Sequence, residues 1–113
     1  MVNGVFTRGT TPTFAFPIPE GVDYFDLKDY TICFRQKKNN VITKYKKHAS
    51  LVTSADLEQN IVLTLTQEET MLFNPKINIV DVQIKAITKD EKVFIIGTYK
   101  YRLEDAFDQN ELI

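Results

Sequence analysis

The sequence of 113 residues is poor in the side chains that most often carry chemistry, with one cysteine, one histidine and no tryptophan. The single cysteine, Cys33, cannot form an internal disulfide, which agrees with a reducing compartment. One cysteine and one histidine also fall short of the three or four soft ligands of a zinc site. The four glycines are scattered singly, so the chain has no glycine-rich phosphate loop and nucleotide chemistry is disfavoured.

The chain also lacks an excess of charge of either sign and a long apolar run. Its formal charge of −1 creates no global field that would pull it onto nucleic acid or anionic lipid. The acid-rich segments 23–29 and 104–111 lack the spacing of a calcium loop. No run of about 18 apolar residues exists, and the N-terminus has no signal-peptide core. We expect a protein that is cytoplasmic when synthesised, with no cofactor, metal, nucleic-acid or membrane partner.

What the sequence does contain is typical of one β-rich globular domain. Hydrophobic residues make up 43% and charged residues 26%, which excludes the disordered class. Eight phenylalanines and five tyrosines favour strands, because aromatic side chains suit half-buried pleated surfaces. The length is that of a single domain, so we expect residues 1–113 to share one core.

The stretch from Asn60 to Pro75 joins a strand pattern to a helix pattern. Its first half alternates in the period of a strand. Thr66 and Glu69 then have the spacing of a capping box, in which each side chain accepts from the other residue's amide. Because proline disfavours the helical conformation of the preceding residue, the pattern predicts a helix of about two turns that ends near Phe73. Met71, Leu72 and Phe73 would close one end of the core.

Five further segments have strand periodicity, and turn residues separate them. The segment Pro12–Phe16 begins with Pro12 and is followed by Pro17, and such flanking prolines predict an edge strand. Asp29–Lys37 and Val41–Lys47 predict a hairpin, with Asn39 and Asn40 in the left-handed positions of its turn. Lys76–Thr88 changes phase at Ile79 and Val80, which indicates either a β-bulge or burial on both faces. Val93–Leu103 predicts the last long strand, its first half buried on both faces.

These elements predict an antiparallel β-sandwich of immunoglobulin-like type with one short helix near residues 67–73. An open barrel and an α+β sheet are the alternatives. Residues 22–28 fit either a single helical turn or an irregular connection, and residues 48–59 a short strand and a turn. We expect residues 1–10 to be loose unless a partner orders them. Residues 104–113 form an acidic tail, either mobile or a short helix that docks Phe107, Leu112 and Ile113.

No residue stands out as catalytic. His48 follows two lysines and is interpreted as a surface residue, because no nucleophile or orienting acid is spaced to work with it. Cys33 lies in a strand, where a thiol behaves as a small hydrophobe. The one local charge feature is a basic hairpin, for which two interpretations are open: a solvated edge that lysine protects from pairing, or an interaction surface for an acidic protein. Its residues are Arg35, Lys37, Lys38, Lys44, Tyr45, Lys46 and Lys47. The acidic segment 104–111 of a second copy is one such acidic partner.

Two stretches carry a family resemblance. Arg8–Pro19 reads RGTTPTFAFPIP and Leu63–Pro75 reads LTLTQEETMLFNP. Together they resemble small prophage-encoded proteins of Gram-positive bacteria that are structural or associated with the phage tail. A more distant similarity is to the immunoglobulin-like N-terminal domain of siphophage upper baseplate proteins.

The resemblance implies a non-enzymatic virion protein of the tail or baseplate. Its partners would be other virion proteins and itself, in a symmetric ring or tail assembly. The alternative function is a β-sandwich module that binds a carbohydrate or another cell-surface ligand through Tyr24, Phe25, Tyr99 or Tyr101. An enzyme is not expected.

Overall fold

The computed structural model describes residues 2–106 of the chain. Its strands are β1 Gly4–Arg8, β2 Thr13–Pro17, β3 Leu27–Gln36, β4 Asn39–Tyr45, β5 Ser50–Thr53, β6 Gln59–Thr64, β7 Ile79–Thr88 and β8 Val93–Asp105. One α-helix, α1 Gln67–Thr70, and two single 3₁₀ turns, Tyr24–Asp26 and Lys46–His48, complete the secondary structure.

The strands form two sheets that pack face to face. One sheet has five strands in the order β1-β8-β7-β3-β4, and the other has three in the order β2-β6-β5. All neighbouring strands are antiparallel except β1, which runs parallel to β8. The fold is therefore the immunoglobulin-like β-sandwich that the sequence predicts, and β2 is an edge strand as its flanking prolines indicate.

Alternate residues of both sheets fill one shared core. Phe16 and Ile61 of the three-stranded sheet and Ile32 and Phe34 of the five-stranded sheet are all fully buried. The ring of Phe14 lies 5.3 Å from that of Phe34, edge to face across the two sheets. Because side chains alternate between the two faces of a strand, the predicted periodicity places these residues inside.

Helix α1 has the predicted capping box but is shorter than predicted. The Thr66 hydroxyl accepts from the Glu69 amide at 3.1 Å, and the Glu69 carboxylate accepts from the Thr66 amide at 2.9 Å. After Met71 the backbone makes i to i−3 bonds, which tighten the chain out of the α-helix. Phe73 is buried and closes the core as predicted, whereas Leu72 is 62% exposed and was wrongly placed there.

The prediction that residues 1–10 are loose is wrong for the segment Gly4–Arg8, which is strand β1. Phe6 lies opposite Leu103 of β8, and its ring packs 5.3 Å from Phe14 and 5.5 Å from Phe73. This strand depends on pairing with β8, almost a hundred residues away, so no local pattern reveals it.

The predicted positions of one turn and one bulge are wrong, whereas the alternative for Ile79 and Val80, burial on both faces, is met in part, since Val80 is buried and Ile79 half-buried. The left-handed residue of the β3–β4 hairpin is Lys37, with φ of 54°, whereas both asparagines belong to β4. Strand β7 begins at Ile79 without a bulge there, and the register instead shifts in β8, where Ile96 is the extra residue opposite Ile84 and Lys85. The shift turns Val93 and Ile95 toward solvent, so the first half of β8 is not buried on both faces.

The ends of the described chain complete the comparison. Glu104 and Asp105 are the last residues of β8, so the acidic tail does not begin at residue 104. The predicted docking of Phe107, Leu112 and Ile113 lies outside the described residues. Between residues 2 and 106, no helix has the length and apolar character needed to span a bilayer.

Candidate interaction surfaces

The predicted basic hairpin does not form a single surface, because its residues lie on different faces of the sheet. Arg35, Lys37, Lys38, Tyr45 and Lys47 are exposed. In the register of β3 with β4, Lys44 lies opposite the buried Ile32 and therefore points inward. Lys46 follows the strand in the 3₁₀ turn.

Lys44 ties the edge strand β4 to α1. Its ammonium forms an ion pair with Glu69, and about four-fifths of each side chain is buried. Desolvation opposes ionisation of Glu69, but the bonds from Lys44 and from the Thr66 amide outweigh it, so the pKa of Glu69 lies below its usual range. An inward-facing charge on an edge strand also discourages pairing with another sheet.

Lys46 and His48 are also engaged within the fold. The Lys46 ammonium donates to the carbonyl of Leu27 at 2.6 Å and lies 4.8 Å from the centre of the Tyr24 ring. His48 is exposed, as predicted, and its Nδ1 accepts from the amide of Tyr45 at 3.1 Å. Cys33 is half-buried on the outer face of the five-stranded sheet. Arg35 and Lys47 are exposed at separate places, and the two adjacent exposed lysines of the predicted set are those of the hairpin tip, Lys37 and Lys38.

The two stretches that carry the resemblance meet at the end of the sandwich that α1 covers. Arg8 donates from Nε to the carbonyl of Phe73 at 2.9 Å and from Nη2 to that of Met71 at 3.1 Å. The Thr70 hydroxyl, fully buried, accepts from the Gly9 amide and donates to the Thr10 carbonyl. The polar residues of these motifs therefore satisfy the carbonyls that a helix end leaves open, and they build the fold.

A groove opens at the opposite end of the sandwich, between residues 17–22 and the β5–β6 loop, residues 54–58. Its volume is about 720 Å³. Its apolar side chains include Val22, Leu57 and Tyr99, and its acidic ones are Glu20, Asp56 and Glu58. We call this feature the acidic groove.

Leu57 is the most unusual residue of the acidic groove. It is 82% exposed and has a φ of 65°, a left-handed conformation that bulky side chains rarely adopt. The conformation is imposed by the tight loop, in which the Ser54 amide donates to the Glu58 carbonyl and the Leu57 amide to the Ser54 carbonyl, each at 2.9 Å. The loop thus holds an apolar side chain in solvent beside carboxylates.

The charge of the acidic groove at neutral pH comes from its carboxylates. The Ser54 hydroxyl bonds to Asp56 and lowers the pKa of that carboxyl. Tyr99 packs 5.0 Å from Phe16 and donates to the Pro17 carbonyl at 3.4 Å, and burial raises the pKa of its hydroxyl. Tyr101 is further inside, where burial and the neighbouring Tyr99 raise its pKa to about 12. Both tyrosines are therefore neutral at pH 7.

The three-stranded sheet beside the acidic groove carries no charge. None of the residues of β2, β5 and β6 is charged, and the exposed face is made of small side chains with Val52 47% exposed. Exposed sheet faces and edges of soluble monomers usually carry lysine or glutamate. The strands of this sheet lack such charged side chains, whereas the groove beside them carries its three carboxylates.

Charge is segregated between the two halves of the sandwich. Residues 9–27 and 48–75, which contain the three-stranded sheet and α1, have no lysine or arginine; their acids are Glu20, Asp23, Asp26, Asp56, Glu58, Glu68 and Glu69. All fourteen lysines and arginines therefore lie in the segments of the five-stranded sheet and its flanking turns. A near-neutral total thus conceals a molecule with one acidic and one basic side.

The aromatic residues of the alternative function are placed in different surroundings. Tyr99 and Tyr101 face the core, where both rings lie within 6.5 Å of Phe16. Tyr24 packs against Tyr30 at 6.1 Å, and Phe25 beside it is 63% exposed. Within residues 2–106, no group of three or more His, Cys, Asp or Glu residues is placed to hold a metal.

Sequence reasoning missed the acidic groove because two loops about forty residues apart build it. One signal was present: Leu57 is a single large apolar residue in the polar loop TSADLEQN. The charge segregation was also missed, because it becomes visible when each segment is assigned to its sheet.

Known proteins are similar to this chain in fold. No family model and no curated protein matches the sequence. Among solved structures, CopC from Methylosinus trichosporium OB3b is similar at 9% identity over 96% of this chain and 89% of that chain, with a TM-score of 0.46. A point mutant of the SrpA adhesin from Streptococcus sanguinis is similar at 15% identity, with a TM-score of 0.48. The match covers 98% of this chain and 59% of the adhesin chain.

The V domain of amphioxus IgVJ-C2 is similar at 9% identity over 89% of this chain and 98% of that domain, with a TM-score of 0.36. Likenesses at these identities concern the fold alone. The class of the protein, an immunoglobulin-like β-sandwich, follows from its own two packed sheets, and its function has to be argued from its own surfaces.

Proposed function

We propose that the protein is a non-catalytic building block of a phage or prophage virion, in the tail or baseplate, that acts through protein–protein contacts. The observation that carries the proposal is the acidic groove, where a strained loop holds Leu57 in solvent next to Asp56 and Glu58. Strained residues that the surrounding structure enforces are concentrated at functional sites. Protein interfaces have an apolar centre and a polar rim, and Leu57 with its neighbouring carboxylates has that arrangement.

The resemblance of Arg8–Pro19 and Leu63–Pro75 to prophage structural proteins supplies the virion context. In the structure these stretches hold α1 against β1, which suits a protein whose task is to present a rigid surface. The protein would be made in the cytoplasm and then join other virion proteins and copies of itself.

The experiment that tests this function is the purification of virions from an induced lysogen that encodes the protein. Density-gradient fractions are probed by quantitative mass spectrometry, with a major tail protein as reference. A fixed copy number per tail is the expected result, since ring and tail subunits are present in symmetric sets. Absence from purified virions would contradict the proposal, as would a gene flanked by unrelated metabolic genes.

The alternative, a carbohydrate- or cell-surface-binding module, is favoured by one observation, the exposed ring of Phe25 beside Tyr24. Exposed aromatic rings provide the flat apolar surface on which a ligand can stack. Glycan-array binding that is lost in Phe25→Ala, together with a monomeric protein absent from virions, would establish this alternative.

A further inference from the structure

The acidic groove has a counterpart of opposite charge on the same molecule, the hairpin tip Lys37–Lys38. Both lysines are exposed, and Lys37 occupies the left-handed position of the turn, so the tip projects from the sheet. The groove carries Glu20, Asp56 and Glu58 and lies in the half that contains no lysine or arginine. The two features are complementary in charge.

The tip and the groove lie at opposite ends of the sandwich. Strand β3 ends at Gln36, next to the tip and to the Asn74 that follows α1. The groove lies at the other end, where β2 ends and β6 begins. Within residues 2–106, Lys37 and Lys38 form no ion pair with a groove residue, so the tip does not occupy the groove of its own copy.

We propose that the hairpin tip of one copy docks in the acidic groove of a second copy. The two ammonium groups meet the groove carboxylates, while the aliphatic stems of the lysines pack on Leu57 and Val22. Contact between different surfaces is heterologous, so each copy keeps one unused tip and one unused groove. Copies therefore add in a row, which closes to a ring or continues as a filament.

This inference deepens the proposed function, because it names one contact through which copies would assemble. It does not depend on the virion, since the charges and the groove belong to the isolated chain. Exposed ion pairs are weak and screened by salt, so association is expected at about 10 µM to 1 mM protein and in low salt.

The test is sedimentation velocity of the full chain over this concentration range, in about 20 mM and about 500 mM salt. The tip variant is Lys37→Glu with Lys38→Glu, and the groove variant is Glu20→Lys with Glu58→Lys, which leaves the bond from Ser54 to Asp56 intact. Glutamate tolerates the left-handed conformation of position 37, since Glu91 adopts it with φ of 68° in the β7–β8 turn. Lys85→Glu with Lys100→Glu, two exposed positions of the five-stranded sheet, is the control for the change of charge in the tip variant.

Wild type is expected to associate in low salt, and the tip and groove variants to associate at least about tenfold more weakly while the control matches wild type. Leu57→Asn distinguishes a loss of binding from a loss of folding stability. Asparagine accepts the left-handed conformation of this position, and the substitution removes the apolar contact with the lysine stems. It should keep or raise the melting temperature and still weaken association.

Mixing the tip variant with the groove variant gives the signature of a heterologous contact. The first keeps an intact groove and the second an intact tip, and the reversed tip is complementary in charge to the reversed groove. The mixture should therefore regain the association that each variant alone has lost. A monomeric wild type in low salt would overturn the inference, and so would variants that associate as wild type does. Binding of a synthetic lysine peptide to a wild type that stays monomeric would assign the groove to another basic partner and overturn it too.

The failure of this inference can be told apart from the failure of the proposed function. If the protein is found in purified virions but is monomeric in isolation, the virion role stands and the tip-to-groove contact is wrong. If it associates through tip and groove but is absent from virions, the contact stands and the virion role is wrong.

Discussion

The two halves of the sandwich differ in how they meet solvent. The segments of the five-stranded sheet contain all fourteen lysines and arginines of the chain, whereas the three-stranded sheet has no charged residue in its strands. Both halves contribute equally buried side chains to one core. The difference therefore concerns the outside: one half carries every lysine and arginine, and the charged residues of the other half are all acidic apart from its single histidine.

The sheet edges show the same contrast. The edge strand β4 is blocked by Lys44, which points inward to Glu69, and by Lys46, which covers Tyr24. On the other sheet, the edge strand β5 is four residues long and has no charge. Its short length limits pairing, but nothing repels a partner. Substitutions in the core, at the α1 junction and at the protected edge strand can break this comparison.

The largest expected effect tests the shared core. Phe16→Ala in the three-stranded half and Phe34→Ala in the five-stranded half should each lower the free energy of unfolding by about 3–5 kcal/mol, because both rings are fully buried. Urea unfolding followed by circular dichroism and tyrosine fluorescence measures this loss. Phe25→Ala, at an exposed ring, is the control and should cost little. Two separate transitions, one for each half, would contradict a shared core.

The second prediction tests the junction that holds α1 against the N-terminal strand. Thr70→Val leaves the Gly9 amide and the Thr10 carbonyl without their hydroxyl partner, and it should cost about 1–3 kcal/mol. Thr70→Ser keeps the hydroxyl and should stay much closer to wild type. Equal losses in both variants would show that the methyl group, and not the hydrogen bonds, stabilises this junction.

The third prediction concerns a defect inside the five-stranded half. The Tyr30 hydroxyl is buried and makes no hydrogen bond of ordinary geometry within residues 2–106, although the Tyr24 side chain lies beside it; burial first, and then Tyr24, raise the pKa of Tyr30. Tyr30→Phe removes an unsatisfied polar group without changing the ring, so it should raise the free energy of unfolding by about 1 kcal/mol. Tyr45→Phe, at an exposed ring, should change nothing. A destabilised Tyr30→Phe would mean that the hydroxyl has a partner.

The smallest effect is the pH dependence of the ion pair that joins β4 to α1. Because the pKa of Glu69 is lower in the folded protein than in the unfolded chain, its contribution is present above the ordinary glutamate pKa of about 4.3 and is lost as the pH falls through the lower folded-state pKa. Glu69→Gln, which can still accept from the Thr66 amide, should therefore be less stable than wild type by up to about 1 kcal/mol at pH 7.

The difference between wild type and Glu69→Gln should shrink on acidification, and urea unfolding at several pH values measures it. Lys44→Met should remove most of this pH dependence as well. A constant difference from pH 7 to pH 3 would contradict the assignment.

Local signals predicted the elements that local physics determines. The alternation of Tyr30, Ile32 and Phe34 placed these side chains in the core, and the spacing of Thr66 and Glu69 fixed the start of α1. Each depends on neighbours within a few residues, so the pattern is complete in the sequence.

The missed features depend on distant parts of the chain. Strand β1 forms because β8 offers it an edge, and the Ile96 bulge follows from the pairing of β8 with β7. The residues of the predicted basic hairpin do not form one surface, because strand alternation turns Lys44 inward while Lys37 and Lys38 lie at the tip. The acidic groove needs two loops that meet after folding, so its residues could not be grouped beforehand.

The measurement that tests the central claim most directly is zero-length carbodiimide cross-linking of an equal mixture of unlabelled and ¹⁵N-labelled protein in low salt. Mixed-isotope peptide pairs report contacts between copies. The structure predicts links from Lys37 or Lys38 of one copy to Glu20, Asp56 or Glu58 of the other, lost in high salt. Mixed-isotope links that are absent, or that join the five-stranded faces of two copies instead, would contradict the claim that the uncharged, acid-rimmed half receives a partner.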